Sequence, residues 1–435
     1  MKQLPLDILI PILEPLIADS RADLLNCSLV NKNFYRIAIP LYYRVLDARV
    51  SSESQLNSFV NPPRQDLTIP LRQQSCLAKY IHHLTIRGAI THKTLSIVLQ
   101  CTNLNSLTWI DDIPSSPNSQ SAFDCDRSPN NETLALLGVA HRVPRLSSLT
   151  LRTYNDLSSD AWVQFVSFPG LRKLSLWCFS ISGCWNNGSI VESLTHLELC
   201  VGSINSTEYI SLFVSLLNLE YLRLKGAPSS AIASLAALLP KLRSFDTDFV
   251  SAPLSAVDDQ QTLQLHHLTV RTSTDALTPF YSWLRQLAGR GPDESFILHA
   301  FAVRAKHVVP SEFVKGLPLT LREFVVGEAE LALSDVSFLC KSMCNLIRLE
   351  CSVQTQDILA VEQAIGMGQR LRRVKFRGRG IKMSRVQARK WMIEHAELRN
   401  IGINSDMFKG KWVLDAEQGL VLRVDVAADG NRWGT

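Results

Sequence analysis

LRKLSL at residues 171–176, LTHLEL at 194–199 and LEYLRL at 219–224 share one pattern, apolar-x-x-apolar-x-apolar, with starts 23 and 25 residues apart. The second half of each alternates with period two, which in a strand turns the apolar side chains to one buried face. The residues that follow have a helical period. After LTHLEL, Tyr209, Leu212, Phe213 and Leu216 fall at i, i+3, i+4 and i+7, with Ser206 or Thr207 placed to cap the helix start. Ile232, Leu235, Ala236 and Leu239 repeat the arrangement, as do Val336, Leu339, Cys340 and Met343. A strand and a three-turn helix bury little alone, whereas stacked copies share one core.

The pattern recurs thirteen times, starting at Ile81, Leu104, Leu146, Leu171, Leu194, Leu219, Leu242, Leu265, Leu298, Leu321, Leu346, Leu371 and Leu398. Most starts lie 23 to 27 residues apart, with gaps of 42 before Leu146 and 33 before Leu298. Over residues 81–404 the chain resembles the leucine-rich repeat family. The resemblance implies an α/β solenoid, a horseshoe of about thirteen strand–helix units. The Asn or Cys that usually follows LxxLxL is mostly absent, as in LELCVG and LRLKGA, so no regular asparagine ladder is expected and the curve should be irregular. An unrelated α/β protein with repeated strands is the competing reading.

Three segments interrupt or flank the repeats. Residues 111–132, rich in Ser, Asn, Asp and Pro, read as a loop inserted in one repeat. Residues 49–80 read as a linker or N-terminal cap, and residues 405–435, with the alternating LVLRVDV, as a C-terminal cap or terminal strand pair.

The N-terminus, MKQLPLDILIPILEPL, is apolar but broken by Pro5, Pro11 and Pro15 and carries Asp7 and Glu14. It lacks the unbroken apolar stretch of a secretion signal. Pro5 suits a first helical turn, and Leu6, Leu9, Ile10 and Leu13 follow at helical spacing until Pro15. A second periodic stretch runs from Leu24 through Ala38 to Pro40, giving two or three short helices with little core of their own. The ordered set LPLDIL, ILEPL, DLLNCSLVNKNFYRIA and PLYYR resembles the F-box, assigned here to residues 1–48. The matching residues are Leu4, Pro5, Asp7, Ile8, Leu9, Ile12, Leu13, Leu16, Asp23, Leu24, Leu25, Leu29, Val30, Phe34, Tyr35 and Arg36; Phe34 stands where the family usually has Trp. The resemblance implies an all-helical module that docks the Skp-family adaptor, and through it cullin and RING subunits, by way of Leu4, Pro5, Ile8, Leu9, Ile12, Leu13, Leu24, Leu25, Leu29, Val30, Phe34 and Tyr35. An F-box before leucine-rich repeats implies the substrate-recognition subunit of a Skp-cullin-F-box ubiquitin ligase, with no catalysis or cofactor of its own. A purely helical cap for the solenoid is the alternative.

Lysine and arginine number 45 against 40 acids, so the chain is close to balanced, which argues against a general nucleic-acid or membrane-surface protein. No apolar stretch is long enough to span a bilayer. The ten cysteines form no CxxC pair and read as reduced core thiols of a cytoplasmic or nuclear protein. GxSxG, HExxH and P-loop motifs are missing, and GMGQR at Gly366 and GRG at Gly378 lack a phosphate-cradling pattern. His82–His83 and His266–His267 occupy x-x slots whose neighbouring side chains point to opposite sides, which argues against metal binding.

Binding is expected on the solvent side of the strands. The third, fifth and seventh residues of the repeats supply eleven basic residues (Arg87, Arg152, Lys173, Arg223, Lys225, Arg271, Arg304, Arg348, Arg373, Lys375, Arg377) and five acidic ones (Glu198, Asp246, Asp248, Glu323, Glu350). This positive lean suggests an acidic or phosphorylated target segment, with Trp177 and Tyr221 as apolar anchors. RLRRVKFRGRGIK at 370–382 supports a rival reading, a nuclear-import or RNA contact. A non-catalytic scaffold is the third.

Overall fold

The computed structural model describes residues 5–49, 77–88, 90–111, 129–181, 190–203, 206–250, 265–274, 277–288, 298–304, 307–415, 417 and 419–428. Leu4, residues 50–76 of the expected linker, 112–128 of the expected insertion and 429–435 of the tail lie outside them. The chain divides into two compact units, Met1–Leu219 and Glu220–Thr435.

The first unit begins with helices α1 (Leu6–Leu13), α2 (Leu16–Asp19), α3 (Arg21–Ser28) and α4 (Lys32–Tyr43). Strands β1 (Val45–Arg49), β2 (His83–Arg87), β3 (Ser106–Ile110), β4 (Ser148–Arg152), β5 (Lys173–Ser180) and β6 (His196–Ser203) follow, each parallel to the next. β1 crosses the boundary expected between module and linker: Val45 to Arg49 pair with His83 to Arg87, so the helical module runs directly into the sheet.

In the second unit β7 (Tyr221–Lys225), β8 (Ser244–Phe249), β9 (His267–Thr272), β10 (Ala300–Arg304), β11 (Glu323–Leu331), β12 (Arg348–Val353), β13 (Arg373–Arg377) and β14 (Asn400–Ile403) run parallel in chain order. The tail adds the antiparallel hairpin β15 (Asp406–Asp415) and β16 (Gly419–Ala428). Helix Arg385–Glu394 packs on that hairpin, and Gly410 makes room: a Cβ there would lie 2.4 Å from Met392 Sδ. Both units are α/β leucine-rich-repeat solenoids.

The three apolar positions of all thirteen repeats are buried, from Ile81, Leu84 and Ile86 to Leu398, Ile401 and Ile403. The helical side chains Tyr209, Leu212, Phe213, Ile232, Leu235, Val336, Leu339 and Cys340 are buried as well, as are Leu216, Leu239 and Met343 just beyond those helices. Between strands the backbone adds a second repeat. The N–H groups of the second and third residues of one repeat both donate to the carbonyl of the second residue of the repeat before. Arg172 and Lys173 donate to Ser147 O at 2.8 and 2.9 Å, and Arg322 and Glu323 to His299 O at 2.7 and 2.9 Å.

Cys101, Cys178, Cys200, Cys340 and Cys351 are buried free thiols, Cys27 is half-buried and Cys344 is exposed. Burial, with Asp156 and Cys200 adding, pushes Cys178 up to about 12, and burial alone does the same for Cys340. Neither is a thiolate nucleophile at neutral pH.

One repeat breaks the apolar rule. In LRSFDT the sixth residue is Thr247, fully buried, and its hydroxyl finds no hydrogen-bond partner among the described residues. A buried unpaired hydroxyl costs about 1–3 kcal/mol. Thr247→Val keeps the shape and removes the cost, so we expect the variant to unfold at higher denaturant, by about 1 kcal/mol in an equilibrium titration.

Candidate functional site

Two surfaces carry the expected binding residues. The first is the helical module. Its core holds Leu9, Leu13, Leu24, Ile37, Ala38 and Leu41, with Leu16, Ile17, Cys27, Phe34 and Tyr42 packed around them. Asn31 caps α4, its side-chain oxygen accepting from the Asn33 and Phe34 N–H groups. Arg21 ties the module together: its Nη2 donates to Tyr42 O at 2.6 Å and Val45 O at 2.7 Å, and its guanidinium lies over the Tyr42 ring. Arg44 pairs with Glu14 at 2.7 Å.

This arrangement sorts the twelve residues expected to meet an adaptor. Leu9, Leu13 and Leu24 are interior, which corrects the expectation that they offer contact surface: they hold the module together. Phe34 is half-buried against that core. Pro5, Ile8, Ile12, Leu25, Leu29, Val30 and Tyr35 are exposed; Ile12 is 55% and Leu29 81% accessible. Leu6 and Ile10 join them, which the sequence comparison passed over. The signal was present, since α1 is apolar around most of its circumference while a one-sided core needs only the i, i+4 pair Leu9 and Leu13.

The second surface is the solvent side of the strands. In the first unit it is built of small hydroxyls, Thr85, Thr108, Thr150 and Ser175 in register across β2 to β5. Arg152 covers the Trp177 ring at 4.4 Å, the Trp177 indole N–H donates to Ser175 Oγ, and Ser175 donates to Glu198 at 2.9 Å.

In the second unit the charges meet each other first. Arg223 lies 3.4 Å from Asp246, and Arg271 bridges Asp246 at 2.7 Å and Asp248 at 2.8 Å. Glu350, buried, sits between Arg348 at 2.8 Å and Arg373 at 3.0 Å, while Arg348 also reaches Glu323. Arg377 pairs with Glu328. Lys375 is buried, with its stem against Gly402, where a Cβ would come within 2.7 Å of Lys375 Cγ. The expected row of displayed cations is therefore corrected: carboxylates on the same surface answer most of it, and Lys375 is not displayed. Lys225 and Arg304 stay exposed without an ion pair among the described residues, and Tyr221 is half-buried.

A depression of about 480 Å³ opens where the outward residues turn small, over Thr269, Ala302 and Val325. Arg304 and the Arg348–Glu350–Arg373 cluster are among the residues that line it. Partial desolvation, with the Arg271 and Arg223 guanidiniums adding, pushes Arg304 down against the pull of Asp246, so an incoming anion relieves this site.

The basic run at 370–382 is also largely occupied. Arg370 donates to Asn345, Arg372 pairs with Glu397, Arg373 with Glu350 and Arg377 with Glu328, leaving Arg379 and Lys382 exposed. Burial and Arg44 push the half-buried His82 and exposed His83 down, so both are neutral at neutral pH. Among the described residues no group of three or more His, Cys, Asp or Glu is placed to hold a metal, and no helix is long and apolar enough to cross a membrane.

These two kinds of arginine separate in a stability assay. Glu350→Ala leaves Arg348 and Arg373 facing each other over a buried gap and should cost about 2–3 kcal/mol, allowing for the solvent that reaches both guanidiniums. Arg304→Ala should change stability by less than about 0.5 kcal/mol in the same denaturant titration.

No family model and no curated protein matches the chain. Among solved structures it is similar to an internalin (InlF) from Listeria monocytogenes, at 15% identity over 75% of this chain and 83% of that one, TM-score 0.40. It is similar to a leucine-rich-repeat protein of Leptospira interrogans, at 14% identity over 82% and 100%, TM-score 0.32. A chain of the Rad7 and Elc1 complex in yeast matches at 15% identity over 68% and 76%, TM-score 0.36. At these values the likenesses carry no argument about partners.

Proposed function

We propose that the chain is a non-catalytic protein-binding receptor, the substrate-recognition subunit of a Skp-cullin-F-box ubiquitin ligase acting in the cytoplasm or nucleus. The helical module docks the Skp-family adaptor and the outward strand surface holds the target. The observation that carries this reading is the module's surplus of exposed aliphatic surface. Ile8, Ile12, Leu29 and Val30 stand outside a core already filled by Leu9, Leu13 and Leu24. Aliphatic side chains left outside a filled core are what a docking partner would cover. On the target side, Arg304, like Lys225, is a cation open to a carboxylate or phosphate, and the depression that Arg304 lines admits a small apolar neighbour of that group. Nucleic-acid binding is the weaker reading, because four arginines of the basic run already have side-chain partners.

The test is affinity capture from cells of the native full chain beside two surface variants. Ile8→Asp with Leu29→Asp is expected to lose adaptor and cullin while keeping other partners. Arg304→Glu is expected to keep the adaptor and lose at least one target by tenfold or more. A native chain that never captures the adaptor sinks the ligase reading.

A further inference from the structure

β16 is last in the strand order, so one of its edges meets no strand among the described residues. The groups on that edge follow from the pairing behind it. The Gly410 N–H donates to Arg399 O at 2.8 Å, on the β14 side, so even-numbered residues of β15 turn their backbone groups to β14 and odd-numbered ones to β16. Lys409 is opposite Asp425, Lys411 opposite Arg423 and Val413 opposite Val421. The odd-numbered residues of β16 therefore bond to β15, and Leu420, Leu422, Val424 and Val426 hold their N–H and C=O groups outward. A ten-residue open edge of this kind is a template for another strand.

Its side chains specify which strand. Leu422 and Val424 are buried, whereas Val426 and Leu420 remain exposed on the same side of the hairpin. Arg423 and Asp425 are exposed on the other side and form no ion pair among the described residues. Arg423 is directly opposite Lys411, a like-charge juxtaposition that is unfavourable in an antiparallel pair.

We propose that two copies of the chain pair antiparallel through β16 about a two-fold axis at Val424. In this register Val424 faces Val424, Leu422 faces Val426, and the outward N–H and C=O groups of all three answer each other. Arg423 then faces Asp425 of the second copy, twice by symmetry. Those residues form the non-hydrogen-bonded pairs, where opposing side chains are closest. The two adjacent two-fold registers also match the outward backbone groups, but one sets Arg423 against Arg423 and the other Asp425 against Asp425, so charge selects the Val424 register. An isologous contact of this type closes at two copies and builds no filament.

Sedimentation velocity of the full chain over about a hundredfold range of concentration reads the assembly. A monomer–dimer equilibrium is expected. Arg423→Asp or Asp425→Arg alone should weaken it about tenfold, and the double exchange should restore it. A native chain that stays monomeric throughout, single reversals without effect, or a double exchange as weak as the singles overturns the proposal. Hydrogen exchange on the native chain supplies a check that needs no variant. The Leu422, Val424 and Val426 amides should gain protection as concentration rises, while Arg423 and Asp425 are protected at every concentration. Protection that appears only when a different protein is added marks a foreign strand on this edge and overturns the dimer.

Discussion

One carbonyl in each repeat accepts two N–H donors from the repeat that follows, and the rest of the structure is arranged around that contact. From Arg44 O, which receives His82 and His83, to Arg372 O, which receives Arg399 and Asn400, the same shared acceptor recurs within each unit. It fixes the step between coils before any side chain is chosen. It also accounts for the variety of the second and third residues, which read HH, NS, RK, TH and HA in different repeats. Their backbone is what the fold uses, so their side chains are free to differ.

Once the step is fixed, outward side chains of adjacent strands stand about 4.8 Å apart. A cation in one repeat then has to reckon with its neighbours across the ladder as well as with solvent. Asp246 answers both Arg223 and Arg271, and Glu350 answers both Arg348 and Arg373, so acids placed between two arginines settle a surface that looks basic when its residues are only counted. Where Thr269, Ala302 and Val325 replace those long side chains, the surface sinks and Arg304 is left at its margin.

The solenoid was legible because its period and its three apolar positions are strictly local, and all of those positions are interior. The candidate surface was less so, because its chemistry depends on contacts between repeats. Lys375 looks displayed until one sees that the neighbouring strand offers Gly402 at the same level, leaving room for the lysine to lie inward. The module was read by the order of its apolar residues, which does not separate Ile8 and Ile12 from Leu9 and Leu13; only the side from which α4 packs against α1 does.

The Arg44 carbonyl belongs to the end of the helical module, and Arg21 clamps that end to the start of β1. The module is thus the first rung of the ladder it precedes and no bead on a string. Anything that grips α1 from outside inherits the orientation of the first unit's strands, with no free swivel between grip and sheet. For a receptor this converts a docking event into a direction: whatever lies against those strands is held at one bearing, and its reach is limited by its own flexibility.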